Sequence, residues 1–203
     1  MTGPDIANFL QRYRKPLIAA FIIVLLAISG FFAYEKYQRH QVERAAVLYS
    51  ELLDAMAAQQ WSPARASAET LVSQYGHTPY GLFAHFFLAR LDGNSGQTAK
   101  AAAQLQAVIH ADHAPVGMAA MARLSLARVY LQESQPQQAL SILKVESPPF
   151  AALYAEARGD AYAALHQPDP AMQAYAQALA KLPATDPYRA YLQMKMANIG
   201  VAP

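Results

Sequence analysis

An uncharged stretch of 19 residues near the N-terminus dominates the sequence of this chain. It runs from Pro16 to Tyr34 and reads PLIAAFIIVLLAISGFFAY. As an α-helix it spans about 28 Å, close to the hydrocarbon core of a bilayer, about 30 Å. Basic residues flank both ends, and Tyr13, Tyr34 and Tyr37 lie where an interfacial aromatic belt is expected. The stretch therefore predicts a transmembrane helix over 16–34, with the lipid bilayer as its partner.

Two other interpretations of the stretch exist. A cleaved signal peptide also carries a basic region first, and Ala27-Ile28-Ser29 before Gly30 resembles a cleavage site. Signal-peptide apolar regions usually run about 7–15 residues, however, and this one is longer and has two bulky phenylalanines after that site. A buried soluble helix would need cover on every face. We therefore predict a retained anchor.

The distribution of charge predicts the orientation of the anchor. Residues 1–15 carry three basic residues and one acid, whereas 35–203 carries 13 of each, so the formal net charge of +2 lies at the N-terminal end. The positive-inside rule then places the tail, 1–15, in the cytoplasm and exports the domain, 35–203. A neutral domain lacks the basic face that nucleic acids require, so we expect no nucleic-acid partner. With no cysteine, the chain has neither disulfides nor thiolate chemistry.

After the anchor, the sequence shows a helical period throughout and no alternating strand pattern. Four pairs of a capping residue and proline predict helix starts, because the cap accepts an orphan N–H and proline at the first position loses none: Ser62-Pro63, Thr78-Pro79, Asp169-Pro170 and Asp186-Pro187. The predicted helices cover 36–59, 63–75, 79–92, 97–111, 116–133, 136–145, 150–166, 170–182 and 187–199.

The last helix pair has the spacing of a known repeat. The residues that fit G-x2-Y-x8-A-x3-[FY]-x2-A-x4-P are Gly159, Tyr162, Ala171, Tyr175, Ala178 and Pro183. Partial matches precede it at Ala127, Tyr130, Ala139 and Leu143, and at Ala89, Ala101 and Leu105. This spacing resembles the tetratricopeptide repeat. We expect Gly159 and Ala171 to meet within the pair, and the two tyrosines to fill gaps between pairs.

The predicted fold is therefore all-α, with one N-terminal transmembrane helix followed by a tetratricopeptide-like helical-repeat solenoid. A generic alanine-rich bundle is the alternative. The first pair, 42–75, carries no clear motif and is expected to act as a cap. One face of the last helix, which includes Tyr188, Leu192 and Lys195, is expected to cover the last repeat.

An anchor followed by this array resembles the YfgM-like family, the ancillary subunit of the SecYEG translocon. The resemblance covers most of the chain and is closest at Tyr80-Gly81-Leu82, 101–106, 124–129 and 194–198. It implies a bacterial inner-membrane protein with a cytoplasmic tail and a periplasmic domain, similar to holdase chaperones. It also implies as partners the translocon, a membrane-anchored prolyl-isomerase-like chaperone and unfolded or emerging clients. The tail is unusually short for this family.

The sequence shows few signs of chemistry. It has no phosphate-binding loop, dinucleotide fingerprint, nucleophile elbow or zinc-hydrolase motif. His110 and His113 lie at a predicted helix end, where polar residues satisfy carbonyls, and His85 is expected to be a half-buried helix residue. Glu156 and Asp160 are expected to be a solvated acidic pair. We predict no enzyme, no catalytic or metal-binding residue and no cofactor.

A candidate client-binding groove follows from the repeat register. Phe83 and Phe86 precede the segment Leu88-Ala89-Arg90 by the same offsets at which Met121 and Leu124 precede Leu126-Ala127-Arg128. The predicted groove is an apolar strip edged by two arginines: Phe83, Phe86, Arg90, Met121, Leu124 and Arg128. Such a strip suits unfolded segments. The other interpretation is that the phenylalanines are ordinary core residues.

Two functions are compatible with these sequence features. The first is a membrane-anchored periplasmic chaperone and accessory subunit of the SecYEG translocon, which binds emerging or unfolded envelope proteins. The second is a non-catalytic scaffold that binds one folded partner in an envelope-assembly complex.

Overall fold

The computed structural model describes residues 3–144 and 150–199, which form nine α-helices and no strand. The helices are α1 (Gly3–Ala57), α2 (Trp61–Tyr75), α3 (Pro79–Asn94), α4 (Thr98–Ile109), α5 (Val116–Gln132), α6 (Pro136–Ile142), α7 (Ala151–Ala164), α8 (Pro168–Ala180) and α9 (Tyr188–Ile199). The prediction of an all-α chain is confirmed. The predicted end of the sixth helix, at residue 145, lies outside the described residues.

Helix α1 runs without a break from the apolar stretch into the domain. Its apolar part is long and apolar enough, by length and composition, to cross a membrane, and none of that part is buried by the rest of the chain. No glycine or proline lies between Phe31 and Gln60. From Phe21 onward, the first buried side chain along α1 is Ala45, so the residues from Glu35 to Arg44 form a stalk that no other helix buries. The predicted boundary between anchor and domain therefore falls inside one continuous helix.

One turn geometry joins the two helices of every pair. A residue with positive φ lies in each turn, at Gln59, Gly96, Ser134 and His166, with φ between 56° and 71°. The next residue is always a glutamine, and its N–H donates to a carbonyl five residues back, over 2.8 to 3.0 Å: Gln60, Gln97, Gln135 and Gln167. These are Schellman turns, which satisfy the last carbonyls of the preceding helix. The first pair shares this turn with the others, although its sequence carries no clear repeat motif.

The cap–proline prediction is half right. Thr78 Oγ1 accepts a hydrogen bond of 3.2 Å from Gly81 N, and Asp186 Oδ1 accepts one of 2.8 Å from Tyr188 N. Ser62 and Asp169 instead lie in the first turns of α2 and α8, which begin at Trp61 and Pro168. The reason is that the glutamines of the Schellman turns already occupy the cap positions there.

The core consists of four apolar clusters, each shared by three consecutive helices. The first joins α1 to α3, the second α3 to α5, the third α5 to α7 and the fourth α7 to α9. Odd-numbered helices thus alternate with even-numbered ones along the array, and α1 also contacts α3 as α5 contacts α7. This serial burial, in which each repeat packs on its neighbours, is that of a solenoid. The odd-numbered helices are called the inner helices below, and the even-numbered ones the outer helices.

The small residues of the last pair make close contacts, though not all as predicted. Ala171 is completely buried. A Cβ added at Gly159 would lie 2.5 Å from the ring of Tyr175, so the glycine gives this ring its place. Tyr175 therefore packs within the pair as well as against Leu192 of α9 beyond it.

Candidate functional site

The predicted groove residues separate into exposed and buried positions. Phe83 on α3 and Met121 on α5 occupy the same position in successive repeats, and they are 43% and 44% exposed. Two large apolar side chains at equivalent positions thus remain open to solvent. They form the row that is called the apolar row below.

The second predicted offset faces the next inner helix rather than solvent. Leu124 is 4% exposed and packs in the cluster that contains Tyr154 and Ala157 of α7. Phe86 is half-buried against the cluster that contains Leu126 of α5. Leu124 is therefore a core residue, and its place in an exposed strip is corrected. The cause is that α5 and α7 contact each other at Leu124.

The two arginines of the prediction are exposed. Arg90 follows Phe83 by seven residues, and Arg128 follows Met121 by the same interval. Seven residues are two helical turns, so each arginine lies on the same face as its apolar partner, about 10 Å along the helix. Arg90 and Arg128 form the row that is called the basic row below. It runs beside the apolar row from one inner helix to the next.

An aromatic residue on α1 packs against the apolar row, and the sequence did not predict it. The ring of Tyr49 lies 6.0 Å from the ring of Phe83 and 5.4 Å from that of Tyr80. Aromatic rings that are tilted rather than stacked face to face attract each other at these distances. No repeat motif is recognisable in α1, so the repeat register could not be extended to Tyr49. Counted back from the glutamine of its turn, Tyr49 occupies the position of Phe86 and Leu124 rather than that of Phe83.

At the end of the array, one of the two predicted solvated acids is buried instead and the other is half-buried. Glu156 is 4% exposed, and Lys195 Nζ of α9 lies 2.7 Å from Glu156 Oε1 and 2.8 Å from Asp160 Oδ1. Tyr188 donates to both oxygens of Glu156, and Tyr175 donates to Asp160 over 2.6 Å. The prediction of a solvated pair is wrong because α9 covers this face of α7. We call these five residues the lysine cluster.

Three side chains of the lysine cluster, Tyr175, Tyr188 and Lys195, have raised pKa values. Burial and the hydrogen bond to Asp160 raise the pKa of Tyr175 well above its usual value, and burial with the bond to Glu156 raises the pKa of Tyr188 to about 12. Burial alone would lower the pKa of Lys195, but its hydrogen bonds to Asp160 and Glu156 outweigh burial and raise it. The side chains therefore keep their protons at neutral pH, and the cluster serves as a structural tie between α7 and α9.

A pocket of about 450 Å³ adjoins the lysine cluster. Its lining combines apolar walls with a few polar groups: Ala163, His166, Gln167, Pro168, Tyr175, Lys195, Asn198 and Ile199. The ammonium of Lys195 already binds two carboxylates, so it is not free to attract an anion into the pocket.

Two of the six histidines make structural hydrogen bonds. His85 Nδ1 lies 2.7 Å from Gln104 Oε1 in a half-buried position, and His110 Nδ1 lies 2.9 Å from the carbonyl oxygen of Gln106 at the end of α4. Both match the sequence interpretation. Within the part of the chain that the structure describes, no three His, Cys, Asp or Glu side chains are placed to hold a metal ion.

The comparisons with known proteins agree with this fold. Residues 7–201 match the family model described as "Tetratricopeptide repeat-like domain", and the chain belongs to this family. It is 29% identical to the "Ancillary SecYEG translocon subunit" of Neisseria gonorrhoeae, over 96% of this chain and 95% of the relative. It is 26% identical to the Escherichia coli protein of the same name, over 97% and 94%. The resemblance to the YfgM-like family is thereby confirmed.

Proposed function

We propose that this protein is an ancillary subunit of the SecYEG translocon, anchored in the bacterial inner membrane by α1. The proposal is supported by the names of two relatives that match almost the whole chain and by the exposed apolar part of α1. The tail, 1–15, lies in the cytoplasm and the repeats lie in the periplasm, as the charge distribution predicts.

The function of the repeats in this proposal is to bind unfolded or emerging envelope proteins, without catalysis. The observation that carries it is the apolar row, where Phe83 and Met121 are both more than 40% exposed at one position of successive inner helices. Exposed apolar side chains in register offer contacts to extended segments of varied sequence, and methionine adapts to different shapes. The translocon and a membrane-anchored prolyl-isomerase-like chaperone are the proposed partners.

The test of client binding is a double variant, Phe83→Glu with Met121→Glu, of the full-length protein in detergent micelles. Both positions are exposed, so we expect the variant to fold normally while its affinity for a fluorescent, permanently unfolded client falls by about tenfold or more. The matched control is Val47→Glu with Val116→Glu, at positions that are 63% and 79% exposed and lie outside the row. Unchanged binding in the row variant, with circular dichroism as a check on folding, would refute the proposal.

The orientation can be tested separately because the chain has no cysteine. A single cysteine at Glu51, an exposed position of α1, is expected to react with a membrane-impermeant maleimide in spheroplasts. A cysteine at Asn8 in the tail is expected to react only after lysis. The reverse pattern would place the repeats in the cytoplasm.

The alternative is a scaffold for one folded partner. It would be favoured if purified membranes yielded a single stoichiometric partner whose retention survived substitution of the apolar row.

A further inference from the structure

The inner helices α3, α5 and α7 carry seven charged residues between them. Four are arginines, at positions 90, 123, 128 and 158, and three are acids, at positions 92, 156 and 160. By count the helices are therefore almost neutral. The structure shows that the acids and the arginines are used differently.

Every acid of these helices is paired with a base from another element. Asp92 is 1% exposed, and its Oδ1 lies 2.7 Å from Arg65 Nη2 of α2. Glu156 and Asp160 both bind Lys195 of α9. The negative charge of α3 and α7 is thus neutralised from α2 and α9, and none of it compensates the arginines.

The basic row consequently keeps its charge. Arg90 and Arg128 are exposed, and within the described residues no carboxylate lies within 4.0 Å of either guanidinium. The row ends at α7, where the equivalent position is Asp160 in the lysine cluster. The surface therefore combines an apolar row with a parallel row of two uncompensated positive charges, about 10 Å away along each helix.

We propose that this surface selects amphipathic polypeptide segments with one apolar edge and one acidic edge. The inference rests on the proposed client binding and names the class of client. A segment that lies across the inner helices places its apolar side chains on Phe83 and Met121 and its carboxylates on Arg90 and Arg128. Guanidinium binds carboxylate through paired, charge-assisted hydrogen bonds, whereas a basic edge meets like charge. The surface thus accepts acidic segments and rejects basic ones.

The test uses three labelled peptides of 14 residues in which leucine alternates with aspartate, asparagine or lysine. In an extended chain, alternation puts leucine on one edge and the polar residue on the other. For the full-length protein in micelles at low salt, we expect the aspartate peptide to bind about tenfold more tightly than the asparagine peptide, and the lysine peptide to bind most weakly. The preference is expected to shrink at 0.5 M salt, since surface charges are screened.

A charge reversal makes the test specific to the basic row. Arg90→Glu with Arg128→Glu is expected to invert the order, so that the lysine peptide binds best. The matched control, Lys100→Glu with Lys181→Glu, makes the same change in net charge at exposed positions on and beside the outer helices, and is expected to keep the order. Equal binding of aspartate and lysine peptides, or inversion by the control as well, would overturn the inference. Failure of even the asparagine peptide to bind would count against the proposed client binding itself.

Discussion

Equivalent positions of the repeat carry opposite kinds of side chain in the middle and at the end of the array. Leu124 of α5 and Glu156 of α7 occupy equivalent positions, and so do Arg128 and Asp160. In the middle, the first position is packed with an apolar side chain and the second is an exposed cation. At the end, both positions carry acids, which α9 covers and neutralises through Lys195.

The difference shows that register and exposure are separate properties. The repeat register fixes the direction in which a side chain points, since equivalent residues face the next inner helix or the open side. The covering element then determines whether that side chain is solvated. At the end of the array the covering element is α9, whose lysine, tyrosines and leucine match the face they cover.

The largest expected effect separates the two predicted groove residues of α5. Leu124→Ala removes a buried side chain from the cluster between α5 and α7, and is expected to destabilise the protein by about 3 kcal/mol. Met121→Ala, at an exposed position, is expected to change stability by less than about 0.5 kcal/mol. Chemical unfolding of both variants measures the contrast, and equal losses would contradict the assignment of Leu124 to the core.

A second variant removes the neutralising charge at the end of the array. Lys195→Met leaves two carboxylates of the lysine cluster without their cation, one of them almost fully buried. We expect a loss of about 3 kcal/mol, at the low end for a broken buried pair because Asp160 is 32% exposed. Lys181→Met, at an exposed lysine, is the control. A loss no larger than that of the control would mean that α9 does not depend on this tie.

A smaller effect is expected from the glycine of the last repeat. Gly159→Ala places a methyl group against the Tyr175 ring, which its hydrogen bond to Asp160 holds in place. Overpacking costs about 1–3 kcal/mol, and the gain in helix propensity returns up to about 1 kcal/mol. Gly117→Ala in α5, where no atom lies within 4 Å, is expected to be neutral or slightly stabilising. Melting temperatures that do not differ between the two variants would contradict this packing.

The smallest effect is a dependence on alkaline pH. The folded-state pKa values of Tyr175, Tyr188 and Lys195 are raised, so the folded protein holds these protons more tightly than the unfolded chain. Their stabilisation is fully present below about pH 10, where unfolded tyrosine and lysine begin to lose protons. It is lost as the pH rises from there through the folded-state values. We expect the melting temperature to fall by a few degrees above about pH 10, and to fall less in Lys195→Met.

Much of the fold was predictable because its signals are local. Thr78 and Pro79 mark a helix start within two residues, and the spacing of Gly159 and Tyr175 reveals the repeat. The lysine cluster was not predictable in this way, because Glu156 meets Lys195 across 39 positions of sequence and looks like an ordinary solvated acid beside its neighbours. Leu124 was wrongly assigned to the exposed strip for a related reason. Equivalent positions in a repeat can be recognised from the sequence, but whether the next inner helix covers a given position cannot.

Because α1 is unbroken, the length of the stalk determines both the distance of the repeats from the apolar stretch and their rotation about the helix axis. Ala45, the first buried position, lies eleven residues after Tyr34, the last residue of the apolar stretch. Each residue of a helix adds about 1.5 Å of rise and about 100° of rotation. Two extra residues in the stalk would therefore lift the repeats by only about 3 Å but turn the apolar row by about 200°, to the opposite side of the anchor. The number of residues in the stalk therefore determines the direction in which the repeats face relative to the apolar part of α1.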